Sequence, residues 1–119
     1  MAAQTAFTKQ FLSGSTSGAG IKVVAGANPG TLIHTATNVA GQIDEVWIWA
    51  TNTFTSSVVL TIQFGGITSP DNDIIFTILA KDTVKCVVPG LPLAGGLIVR
   101  AYAASSNVIM VYGFVNNMA

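Results

Sequence analysis

The side chains able to do chemistry are few in this chain and widely scattered. One histidine, His34 in "TLIHTAT", and one cysteine, Cys86 in "VKCVV", are the whole supply of imidazole and thiol. A zinc site draws on several Cys or His ligands, so one of each does not make one. General-base work by His34 would need a nucleophile and an orienting acid beside it. Asp73 and Ser105 are the residues to look for there, and the plainer reading is a histidine satisfied in place or on the surface. Cys86 allows no intrachain disulfide and, on an apolar strand, reads as a small buried hydrophobe.

The acidic residues form one cluster, Asp71, Asn72 and Asp73 in "SPDNDI". Alternate oxygen ligands can hold calcium, but the twelve-residue loop with its terminal Glu is absent. A solvated turn with Asp and Asn bonding to the backbone is the simpler expectation. Asp44 and Glu45 would be a pair of carboxylates, yet neighbours on a strand point to opposite faces and cannot flank one glycosidic bond. The glycine-rich pieces "GAGIKVVAGANPG" and "LAGGL" have no helix after them and lack the Lys and Ser/Thr of a phosphate loop. Arg100, a lone charge in "GLIVRAYAA", pairs with Asp44, Glu45 or Asp82, or else sits at an exposed rim. No catalytic residue, cofactor site or metal site is assigned, and the chain reads as a non-enzyme.

Composition points to assembly. Of 119 residues, 50% are hydrophobic and only 8% are charged, against about 25% charged in ordinary soluble domains. Five Lys plus Arg balance five Asp plus Glu, so no net field attracts nucleic acid or an anionic membrane, and none keeps copies of the chain apart. No apolar window approaches the ~18 residues of a spanning helix. The N-terminus "MAAQTAFTKQFLSGS" has no continuous apolar signal core, so no Sec export is expected.

What must position any site is a set of strands. Short runs of β-branched and aromatic residues alternate with Gly, Asn, Pro and Ser turns from residue 21 onward, and they predict eight strands, at 21–25, 31–35, 43–51, 57–64, 73–79, 84–88, 96–104 and 107–115. Pro89 and Pro92 mark 89–96 as a crossing segment outside the sheets. The expectation is an all-β, two-sheet β-sandwich, jelly-roll-like, over residues 21–119, behind a flexible N-terminal arm over residues 1–20 whose "LSGSTSGAG" is linker-like. Phe7, Phe11 and Leu12 are the arm's anchors.

The strand "DEVWIWATN" raises the question of function. Val46, Ile48 and Ala50 point one way; Trp47 and Trp49 point the other. If the first set is core, the tryptophans need a cover, and a subunit interface supplies it. Burying both would remove roughly 400 Å² from water, an upper bound of about 10 kcal/mol. The alternative makes the tryptophans core and covers the other face with a loop or the arm. Tyr102 and Tyr112, in two further strands apolar on both sides, join Trp47 and Trp49 as candidate oligomer-interface residues.

The succession "TATNVAGQIDEVWIWATNTFTSSVVLTIQFGG", a Pro and Asp loop, then "VVPGLPLAGGLIVRAYAASSNVIMVYGFVNNM" resembles, over roughly residues 31–118, the small all-β virion proteins of tailed bacteriophages, the head decoration, cement or minor structural proteins. The resemblance implies a non-enzymatic sandwich, made in the host cytoplasm, that sits on the outer surface of the capsid and clamps the major capsid protein. It implies a homotrimer first and a dimer second, with the arm, through Phe7, Phe11 and Leu12, reaching over the shell. Binding the assembled shell and not its parts would stabilise it by mass action. The alternatives are a tail or fibre structural subunit, or a carbohydrate-binding module using Trp47, Trp49 or Tyr102 as sugar platforms.

Overall fold

The computed structural model describes residues 7–81 and 83–118. Nine strands make up the regular structure among these residues: β1 (Phe7–Phe11), β2 (Ile21–Lys22), β3 (Thr31–Thr35), β4 (Ile43–Asn52), β5 (Val58–Phe64), β6 (Asp73–Ile78), β7 (Lys85–Leu93), β8 (Ile98–Ala103) and β9 (Ile109–Met118). They form two antiparallel sheets. The first runs β1-β9-β4-β7, with β2 also beside β9, and the second runs β3-β8-β5-β6. The pairings are nested: β2 with β9, β3 with β8, β4 with β7 and β5 with β6. Among the described residues no helix is long and apolar enough to cross a membrane.

Two-residue alternation builds the core. Along β4 buried and half-buried positions alternate without a break. Val46, Ile48 and Ala50 are fully buried and meet Val111 and Val115 of β9 and Val88 of β7 from the same sheet. Leu60, Ile62 and Ile78 from the second sheet, with Val99, Ala101 and Ala103, close the other side. Trp47 and Trp49 therefore lie on the outside of the first sheet, which excludes the alternative that made them core. The buried row of β4 ends in polar residues at both ends, Asp44 and Asn52, each fully bonded. Asn52 donates to the carbonyls of Ser56 (2.9 Å) and Ile78 (3.0 Å) and accepts from the Phe54 N–H (2.8 Å). Buried polar groups are tolerated on those terms.

Two segments depart from the sequence reading. Pro89 and Pro92 lie inside β7, which continues to Leu93 through two shifts of register. β7 is an edge strand, so a residue without an N–H costs it nothing on the solvent side. The supposed flexible arm contributes β1, hydrogen-bonded to β9 from Phe7↔Met118 to Phe11↔Phe114, so a boundary at residues 20 and 21 divides one sheet. Leu12 is 2% exposed and belongs to the core, so it is no outward anchor. The run after it is a fixed strap. Gly14 donates to the Ile33 carbonyl (2.9 Å), and a Cβ on Gly20 would strike the Tyr112 ring. Glycine here serves close approach, which composition alone does not distinguish from flexibility.

Candidate functional site

The outer face of the first sheet is the surface that stands out. Register places Trp47 opposite Phe114 and Trp49 opposite Tyr112, and Phe11 of β1 opposite Phe114 on its other side. The rings of Trp47, Trp49 and Phe114 are nearly parallel, 16° to 27° apart, with centroids separated by 6.0, 6.4 and 5.9 Å. Three such rings at the corners of a near-equilateral triangle cannot all lie face to face, so the group spreads sideways into a plate. Trp47 can lie over β7 because Gly90, at φ +74°, has no Cβ to strike the indole. Phe7 (71% exposed), Phe11 (56%) and Tyr112 (40%) extend the plate toward the β1 edge.

Polar groups fix the plate in place. The Trp47 indole N–H donates to Glu45 Oε1 at 2.7 Å, and Asn116 donates to the same oxygen at 3.1 Å. These bonds, the indole's first, hold the Glu45 carboxyl below its ordinary value, because hydrogen bonds to the charged form favour it. Lys9 Nζ sits 4.5 Å from the centre of the Phe114 ring, a cation–π arrangement. Lys9, Gln10, Phe11, Gly18, Gly113 and Phe114 line a cleft of about 500 Å³ at this edge. The chemistry on offer is flat apolar contact with a lysine at the rim.

The four residues taken together from the sequence as an interface do not share one surface. Trp47, Trp49 and Tyr112 are on this face; Tyr102 is on the outer face of the second sheet, beside Thr61 of β5. Cys86 is exposed, opposite Trp49 at the rim of the plate, which corrects its reading as a buried hydrophobe. Phe114 and Lys9 went unselected in the sequence. The parity of "NVIMVYGFV" puts Phe114 on the side of Tyr112, but only the β4–β9 register brings it to the tryptophans.

His34 is 4% exposed and meets neither Asp73 nor Ser105. Its Nε2 is 2.8 Å from Asp44 Oδ2, and its Nδ1 accepts the backbone N–H of Ser13 at 2.9 Å. The Ser13 hydroxyl accepts from the Thr35 N–H at 2.6 Å. Serine, histidine and aspartate thus meet, but a backbone amide fills the imidazole lone pair that a general base would need. Asp44 also accepts from Thr37 N (2.9 Å) and Asn117 Nδ2 (3.0 Å). This node ties the strap to β3, β4 and β9.

The acidic loop is likewise engaged internally. Asn72 Oδ1 accepts the Thr68 N–H (3.0 Å) and Ser69 Oγ donates to Asp73 Oδ2 (2.8 Å), while Asp73 Oδ1 is buried without a partner. Among the described residues no group of three or more His, Cys, Asp or Glu is placed to hold a metal ion. Arg100 is half-buried and donates to the Gly30 carbonyl at 3.4 Å instead of pairing with Asp44 or Glu45; Asp82 lies outside the described residues.

Comparison with protein-family models, with curated proteins and with solved structures returned no match.

Proposed function

We propose that this chain is a structural virion protein that decorates the outer surface of a bacteriophage capsid and cements it, working as a homo-oligomer whose aromatic plate lies against the major capsid protein. The observation that carries the reading is the plate itself: the half-buried Trp47, Trp49 and Phe114, continued by the exposed Phe7, Phe11 and Tyr112, form an apolar face on the outside of the first sheet. Contiguous patches of this kind mark docking surfaces. A chain with balanced charges and few of them gains little from standing alone in water and much from a fixed place on a shell. The two antiparallel sheets and the nested strand pairing support the β-sandwich expected of such a subunit and favour a jelly-roll reading of it. Binding the assembled shell and not its dissociated subunits shifts assembly forward by mass action.

Co-sedimentation with empty capsids of the particle that encodes the chain tests the reading. Wild-type protein pellets with shells and raises their melting temperature, and a variant with Phe11→Ser and Trp49→Ser stays in the supernatant while keeping its fold. Wild-type protein that leaves shells untouched removes the proposal. A second reading has one observation in its favour, since a flat aromatic plate also suits the apolar face of a sugar ring. Binding of soluble oligosaccharides, read as tryptophan fluorescence quenching, would favour it.

A further inference from the structure

The edges of the two sheets are not treated alike. β7 is interrupted by Pro89 and Pro92 and two register shifts. β3 carries a bulge between Leu32 and His34 and is covered by the strap, with Gly14 bonded to the Ile33 carbonyl and the Thr35 N–H bonded to Ser13. β1 has Lys9 at its midpoint. These are the usual ways of blocking an open edge. β6, "DIIFTI", has none of them: it ends the second sheet, has no proline, lysine or bulge, and leaves Ile75 62% exposed.

The direction of its free groups can be worked out. Phe64 of β5 donates to the Asn72 carbonyl, and Val59 of β5 accepts from Ala104 on the opposite side. Even-numbered residues on both strands therefore face the β5–β6 ladder, and Asp73, Ile75 and Thr77 turn their backbone groups to the open edge. The Asp73 N–H is taken by the Pro70 carbonyl (3.1 Å), which leaves the N–H and C=O of Ile75 and Thr77 and the C=O of Asp73.

We infer that β6 pairs antiparallel with β6 of a second copy, about a two-fold axis through Ile75 and perpendicular to the second sheet. This rests on the homo-oligomer reading above and names its contact. The register is Ile75 against the partner's Ile75, with Asp73 against the partner's Thr77 at each end. All the free groups of the strand except the Thr77 carbonyl, whose counterpart, the Asp73 N–H, is held by Pro70, then meet a complement. The two Ile75 residues exchange both their backbone bonds, and each Thr77 N–H donates to the Asp73 carbonyl across the axis. No like charges meet. On the core side Ile74 continues the row of the partner's Phe76. A two-fold perpendicular to the sheet leaves both first sheets on the same side of the dimer. The two aromatic plates then face one way, so a single shell surface engages both and the second contact is intramolecular.

The test is the mass of the protein in solution, by sedimentation or light scattering, without shells. Wild type runs at twice the 12.3 kDa of the chain. Ile75→Pro removes an N–H that serves only the open edge, so β6 keeps its ladder to β5, the circular dichroism is unchanged and the mass is that of a monomer. Thr77→Asp sets a carboxylate opposite Asp73 at both ends and weakens the dimer about tenfold, while Thr77→Lys sets an ammonium there and leaves it intact or tighter. A monomeric wild type, an Ile75→Pro dimer, or equal effects of Asp and Lys at position 77 overturns the inference. The decoration reading fails separately: a wild-type dimer that ignores shells removes that reading and leaves the pairing, and a monomer that still pellets with shells does the reverse.

Discussion

Replacing Asp44 by alanine tests the account of the buried polar node. The carboxylate accepts from His34 Nε2, Thr37 N and Asn117 Nδ2. His34 is buried, so its N–H loses its only acceptor with no water to replace it, at about 1–3 kcal/mol. Thr37 N and Asn117 are partly buried and recover some of their loss from solvent, so together they add about 1–2 kcal/mol. The expected total is about 4 kcal/mol, a large share of the stability of an ordinary domain, and near 15 °C in Tm for a chain of this length. Thermal unfolding followed by far-ultraviolet circular dichroism measures it. Combining it with His34→Leu, which removes the orphaned donor, recovers part of the loss and gives a coupling energy of at least about 1 kcal/mol. A loss under ~1 kcal/mol, or strictly additive single effects, would refute the claim that these groups act as one unit.

Other expectations follow from the same geometry. A Cβ on Gly113 would run into the Trp47 carbonyl of β4, so Gly113→Ala should cost about 3 kcal/mol, read as a lowered denaturant midpoint. Glu45 has its folded-state pKa depressed, chiefly by the Trp47 indole; its contribution is therefore complete above the ordinary value of 4.5 and fades as pH falls through the lower folded value. Tryptophan emission should redden over that acid range, and Glu45→Gln, which keeps an acceptor but no charge, should flatten the response. Cys86, exposed beside Trp49, should react with a thiol reagent in isolated protein and be protected once shells are added. An unchanged rate on shells would place the contact elsewhere.

The class of fold was legible because strand alternation is a local property. Val46, Ile48 and Ala50 against Trp47 and Trp49 could be separated by parity alone, but which set is core stayed open in the sequence and is decided by the register that sets Val88, Val111 and Val115 beside the first set. What lay hidden depended on register. Nothing local says that Phe114 stands opposite Trp47, that Asn117 reaches Asp44, or that His34 meets Asp44 instead of Asp73. The Gly and Ser run was misread because glycine serves two ends: at Gly20 the chain needs closeness to the Tyr112 ring, not freedom. The prolines of β7 misled for a related reason, since a missing N–H breaks a central strand and passes unnoticed at an edge. Cys86 was placed inside by its apolar neighbours, yet its position opposite Trp49 puts it out.

β9, the last strand among the described residues, is an inner strand of its sheet. β9 has β4 on one side and β1 and β2 on the other, and Phe7 lies against Met118. During synthesis, then, the long β4 waits with one edge open until residues 109–118 have cleared the ribosome, and the N-terminal strand has nothing to join before that moment. Contacts of such long sequence separation make for slow folding. A nascent chain in this state is prone to pair with its neighbours on the same message. Deletion of residues 109–118 would remove an inner strand of the sheet and leave β1 and β2 without their partner.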